Sequence, residues 1–163
     1  MSAVDITKDL EHATLVVTSV FPAPPERVWQ LWADPRQLER WWGPEPYPAT
    51  VVDHDLRSDG HVSYYMTGPE GDQHKGYWRV LEVEPPTRLV LVDGFADADG
   101  EPDDDLPTSR TEVTIEPLDD TRTRMTLTSI YDTTAELEQV LAMGMEEGIR
   151  TAVGQIDALL AED

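Results

Sequence analysis

Four histidines and one acidic run are the side chains of this sequence best equipped to bind a metal or move a proton. His12, His54, His61 and His74 do not have the spacing of a zinc site. His61 and His74 are expected to approach each other on paired strands, without a third ligand. Residues 97–105 carry Asp97, Asp99, Glu101, Asp103, Asp104 and Asp105 around Gly100. They do not follow the order of an EF-hand loop, which places a glycine sixth and a glutamate at about position twelve. Their composition predicts a solvated, flexible loop. There is no G-x-S-x-G elbow, Walker loop or dinucleotide fingerprint. The absence of cysteine removes thiolate chemistry and disulfides. What remains for acid–base work is His54, with an inward Glu82 as the second choice of base. A lone histidine with no identified partner is a weak catalytic signal, and a structural or surface role outweighs it. No cofactor and no metal is expected.

The chain has 163 residues and a formal net charge of -21, which suits one domain with a single core. So negative a surface repels phosphate backbones and anionic lipid, so neither nucleic acid nor a membrane is an expected partner. Lys8 and Lys75 are the only lysines against ten arginines. The charge reads first as a solubility device, with salt adaptation or a basic partner protein as alternatives. No apolar run approaches the roughly 20 residues of a membrane span. The N-terminus, with Asp5, Lys8 and Asp9, lacks a signal-peptide pattern. A cytoplasmic protein is expected, with a homodimer left open.

The elements that must position any site follow from periodicity. Ala13 to Phe21 alternates and is β-branched, as a strand should be. Pro24 and Pro25 open a short helix over Glu26 to Ala33, and Asp34-Pro35 caps a second that carries Leu38, Trp41 and Trp42. Six strand segments follow. The hairpin turned at Gly68 to Gly71 puts Val62, Tyr64 and Met66 on one face with Gly76, Trp78 and Val80. Leu56, His54 and Val52 continue that inward face, and Val113, Ile115, Met125 and Leu127 complete the wall. Meander connections imply an antiparallel sheet, which needs a helical cover.

The cover is expected from one long helix over Thr133 to Leu160, opened by the capping box Thr133-x-x-Glu136. Leu137, Leu141, Met145, Ala152, Ile156 and Leu159 share a stripe with Gly144 and Gly148. A glycine inside a helix costs about 1 kcal/mol against alanine. Two on the buried face imply either close backbone packing or space left for a ligand.

This order of elements resembles the helix-grip fold of the START-like (SRPBCC, Bet v 1-like) superfamily. Local motifs resemble the family related to the activator of the Hsp90 ATPase, in its stand-alone bacterial form. They are Ala23-Pro24-Pro25-Glu26-Arg27-Val28-Trp29, Trp41-Trp42-Gly43-Pro44, Asp55-Leu56-Arg57 with Gly60, Glu82 to Leu89, Thr121 to Leu127, and Gly148-Ile149 with Val153. The resemblance covers residues 13–160, taken as the single domain, with 1–12 as an N-terminal extension. It departs at Asp59, where the family commonly has glycine, and at Ile149, where it usually has tryptophan. A smaller side chain there enlarges or reshapes a cavity, unless a tryptophan such as Trp78 fills the place.

The resemblance implies an α+β fold, with a curved antiparallel sheet of about seven strands wrapped around a long C-terminal helix and two short helices after the first strand. It also implies a hydrophobic cavity between sheet and helix. The expected ligand-lining residues are His54, Tyr64, Met66, Trp78, Val80, Phe95, Met125, Gly144, Gly148 and Ala152. The first functional reading is non-catalytic binding of a small hydrophobic molecule. A cyclase- or hydrolase-like enzyme in the same cavity and a chaperone-interaction module are the alternatives. Trp29, Trp32, Trp41 and Trp42 are expected to close the structure, with Trp41 or Trp42 gating the cavity mouth beside Phe95 as the alternative.

Overall fold

A computed structural model describes residues 2–162. Eight antiparallel strands form one sheet, and a C-terminal helical segment covers one face of it, as in a helix-grip fold. The strands are β1 (Val4–Asp9), β2 (Thr14–Phe21), β3 (Ala49–His54), β4 (His61–Thr67), β5 (Gln73–Glu84), β6 (Arg88–Phe95), β7 (Ser109–Pro117) and β8 (Thr123–Ile130). Their order is β1-β2-β8-β7-β6-β5-β4-β3. The strand beyond the expected seven is β1, in the segment taken as an extension. Its residues VDITKD leave only Val4 and Ile6 half-buried, too weak an alternation to signal a strand.

Helices α1 (Pro25–Ala33) and α2 (Pro35–Trp42) follow β2. Pro25 opens α1 at a position where a missing N–H costs nothing. Asp34 ends α1 and caps α2 by accepting from the Arg36 N–H at 2.9 Å. Val28, Leu31, Trp32, Leu38 and Trp41 are buried beneath these helices. The Trp41 indole donates to the Leu31 carbonyl at 3.0 Å, which locks the two helices together.

The β4–β5 hairpin has the expected register, with Val62 opposite Trp78 and Tyr64 opposite Gly76. β3 departs from it. A bulge between Val51 and Asp53 shifts the pairing, so Val51 is buried while Val52, expected inward, is 62% exposed. One extra residue reverses the parity of everything beyond it. Glu82, also expected inward, sits just past a second bulge and pairs with Arg88 at 2.6 Å on the exposed face.

The C-terminal segment is not one helix. It comprises α3 (Thr134–Ala142), α4 (Met145–Gly154) and α5 (Ile156–Leu160). The capping box is present, with the Thr133 hydroxyl accepting from the Glu136 N–H at 3.1 Å. Gly144 then adopts φ +91°, which a residue with a Cβ strongly disfavours, and the helix breaks there. Gly144 therefore answers to backbone conformation. α4 is tied to the N-terminal strand, where Arg150 donates to the Val4 carbonyl at 2.8 Å and Lys8 pairs with Glu146 at 2.7 Å.

Candidate functional site

A cavity of about 250 Å³ lies between the sheet and the break in the C-terminal helices. Its roof is Gly144, Met145, Gly148, Ile149 and Ala152. A Cβ at Gly148 would meet nothing nearer than Pro44 Cγ at 3.9 Å, so this glycine leaves open space. Met143, half-exposed beside Gly144, also lines it.

The floor begins with alternation along β6. Leu89, Leu91, Asp93 and Phe95 share one strand parity, and the last three reach the cavity wall. The register sets Asp93 opposite Ser109 on β7, and Thr111 opposite Ser129 on β8. The inward face of three adjacent strands thus turns polar at one end. Ser109 and Thr111 hydroxyls lie 3.0 Å apart, and Thr111 and Ser129 hydroxyls 2.9 Å apart. These two bonds leave one O–H donor and several lone pairs of the three hydroxyls unused.

Tyr64 reaches this end from two strands away. A Cβ at Gly76 would fall 2.5 Å from the Tyr64 ring and hydroxyl. The bare glycine on β5 is therefore the platform over which Tyr64 lies flat. Its hydroxyl donates to Asp93 Oδ1 over a long 3.4 Å. That is the only side-chain hydrogen bond the Asp93 carboxyl receives among the described residues. Burial pushes the Asp93 carboxyl up to about 7, against a lesser lowering by the Tyr64 hydroxyl. The surface Asp93 retains faces the cavity. Burial first, and then the Asp93 charge, hold the Tyr64 and Tyr131 phenols above their usual range. No lysine, arginine or histidine lines the cavity among the described residues.

Beside this open space the tryptophans pack densely. Trp32 meets Trp41 at 4.9 Å and Trp42 at 5.9 Å, and Trp42 meets Trp78 at 5.0 Å and Tyr64 at 5.9 Å between ring centroids. All four contacts are edge-to-face, the arrangement aromatic quadrupoles favour. The buried indole N–H groups of Trp42 and Trp78 have no hydrogen-bond acceptor among the described residues. That of Trp42 lies near enough to the Tyr64 hydroxyl to favour its ionised form electrostatically, without the geometry of a bond.

Of the ten residues expected to line a site, Tyr64, Met66, Phe95, Gly144, Gly148 and Ala152 reach the cavity wall. Trp78 and Val80 are inward but fully buried in packing. Met125 lies deeper and accepts from the Trp32 indole at 3.4 Å. His54 lies at the end of bulged β3, with Nε2 2.9 Å from the Trp32 carbonyl, so it ties strand to helix away from the cavity. His61 and His74 stand opposite Arg79 and Met66 at the two ends of their hairpin, and do not meet. Among the described residues no three metal-ligating side chains converge. The acidic loop is built: Asp97 Oδ1 accepts from the Asp99 and Glu101 N–H groups at 2.9 and 3.0 Å. Asp93 escaped the sequence reading, although the alternation Leu89, Leu91, Asp93, Phe95 was its signal.

Sheet, helical roof and the cavity between them define the class as START-like. The chain belongs to the family described as Activator of Hsp90 ATPase homolog 1-like protein, whose profile matches residues 22–161. It is 49% identical to a Mycobacterium smegmatis protein of known crystal structure, over 96% of each chain, with a TM-score of 0.89. It is 44% identical to an Arthrobacter aurescens protein solved by NMR, over 98% of this chain and 92% of that one, with a TM-score of 0.93. A Staphylococcus epidermidis protein solved by NMR is 25% identical over 96% and 93% of the two chains, at a TM-score of 0.83. No curated protein matches. No helix among the described residues is long and apolar enough to cross a membrane.

Proposed function

We propose that this protein binds a small hydrophobic molecule in the cavity between β6–β8 and the break at Gly144, without transforming it. The observation that carries this reading is the open volume beneath Gly148, where an added Cβ would meet only Pro44 Cγ, at 3.9 Å. Walls that are mainly apolar with a few polar groups at one end have the usual form of a small-molecule site. Membership of a family that typically binds hydrophobic ligands supports it. On this reading residues 13–160 act as one ligand-binding unit in the cytoplasm, where the lack of cysteine costs nothing.

One observation favours the enzymatic alternative. Asp93, poised near neutrality in an apolar cavity, has the character of a general acid or base. It replaces His54 and Glu82 as the group on which such chemistry would rest. The test is native mass spectrometry of protein purified from its own host, followed by organic extraction. A co-purifying apolar molecule, recovered unchanged after incubation with fresh protein, is the expected result. Conversion of that molecule into a product would replace binding with catalysis.

A further inference from the structure

Resting on the binding reading above, we infer that the ligand carries one cationic nitrogen, an ammonium on a compact apolar body, with the nitrogen held by the Asp93 carboxylate beside Tyr64 and Trp42.

The first ground is an imbalance in the cavity wall. Asp93 is its only carboxyl group, and no side chain of opposite charge lines it among the described residues. A buried carboxylate needs a partner, yet the chain supplies one long bond from Tyr64. A carboxylate accepts at two oxygens with about four lone-pair sites, so Asp93 has spare capacity. The Ser109, Thr111 and Ser129 hydroxyls share two hydrogen bonds, which leaves one O–H donor against several free lone pairs, and none of them carries a charge. The unmet demand at this end is for a donor, and a positively charged one answers it best.

The second ground is aromatic. Tyr64 touches Asp93, Trp42 stands 5.9 Å from Tyr64, and Trp32 stands 5.9 Å from Trp42. All three rings line the cavity. An ammonium within about 6 Å of such rings is attracted by their quadrupoles, so charge and rings act together.

The third ground is exclusion. An anionic ligand would meet no cation in the wall and would have to approach a chain of net charge -21. The volume of about 250 Å³ lies below the usual ~300–1,000 Å³ of ligand pockets, which limits the apolar body to a single ring or a short branched chain.

Burial agrees with this assignment. Burial pushes the Asp93 carboxyl up to about 7, and an ammonium beside it would favour the ionised form and release the proton. The titratable groups around Asp93 are Tyr64 from β4 and Tyr131 after β8. Tyr77, whose ring packs over Gly94, feels the same charge. β5 and β7 present Trp78 and Ser109 opposite Asp93. Affinity for a cation should therefore rise between about pH 6 and pH 8 as Asp93 ionises.

Three probes with one ring and different heads test the inference: cyclohexylmethylamine, cyclohexylmethanol and cyclohexanecarboxylate. Their binding to the full chain is followed by calorimetry and by fluorescence of the cavity tryptophans. Salt of about 0.3 M screens the surface charge. The amine is expected to bind about tenfold tighter than the alcohol, and the carboxylate weakest. In Asp93→Asn the ratio of amine to alcohol should fall to about one. Equal or better binding of the alcohol or carboxylate to the wild-type protein overturns the cationic assignment and leaves the cavity reading standing. An amine preference that persists in Asp93→Asn also overturns it. Failure of all three probes to bind overturns the cavity reading, and the inference with it. If Asp93→Asn does not fold, the ranking and its pH dependence in the wild-type protein still decide.

Discussion

Two neighbouring regions of one interior differ in what occupies them. Between α1, α2 and β5, the rings of Trp32, Trp41, Trp42 and Trp78 meet at centroid distances of 4.9 to 5.9 Å. Beneath α4 the same sheet faces Gly148 and Ala152 across a cavity. Sheet and cover both separate the regions. The filled one sets Trp78 of β5 against tryptophans on the two short helices, and the hollow one sets Asp93, Ser109, Thr111 and Ser129 of β6–β8 against small residues of α4. Trp32 and Trp42 border both regions, so the filled part forms the rigid wall of the hollow part. Polar groups fall in the hollow part because there they face open space instead of an indole.

The sharpest way to break this contrast is to hollow the filled region. Trp32→Ala removes a side chain 1% exposed and should cost about 3–5 kcal/mol, or prevent folding, as measured by urea unfolding. Asp93→Asn acts in the opposite direction. The folded pKa of Asp93 lies above its unfolded value, so wild-type stability should fall as pH rises from about 4 to about 7 and then level off. The variant should lack that slope and be more stable by a few kcal/mol at most above pH ~7, as pH-dependent unfolding will report. Gly144→Ala forces a Cβ into φ +91° and should cost about 1 kcal/mol, visible as a lower melting temperature. Gly148→Leu should change stability least, by under about 1 kcal/mol, while abolishing uptake of an apolar probe. Unfolding of Gly148→Leu would mean that this glycine serves close packing and that the contrast is overdrawn.

The two roof glycines also mark how far the sequence was legible. Both lie on one stripe at helical spacing, and spacing cannot distinguish a left-handed residue from an empty place. The Tyr64–Gly76 pairing was readable, because strand parity held through a regular hairpin. Parity failed in β3, where the bulge after Val51 sent Val52 to solvent and left His54 bonded to a helix carbonyl. Bulges carry no side-chain signature in that stretch. Asp93 obeyed parity and was passed over because a charge interrupts an apolar pattern. β1 escaped because an edge strand of mostly exposed residues need not alternate strongly. Motif and element order sufficed for the family and fold, whereas the cavity depended on local backbone events.

The sheet order has a consequence for how the protein is made. β2 lies between β1 and β8, so Thr14 pairs with Ile130 and Phe21 with Thr123. On the ribosome, one edge of β2 must wait for more than a hundred residues before its neighbour emerges, and non-local pairing of this kind is slow. The roof comes later still, when Arg150 reaches the Val4 carbonyl across 146 positions of chain. During synthesis the cavity floor on β6–β8 therefore stays open after the sheet is complete, and a nascent chain has no ligand compartment until α4 docks on β1.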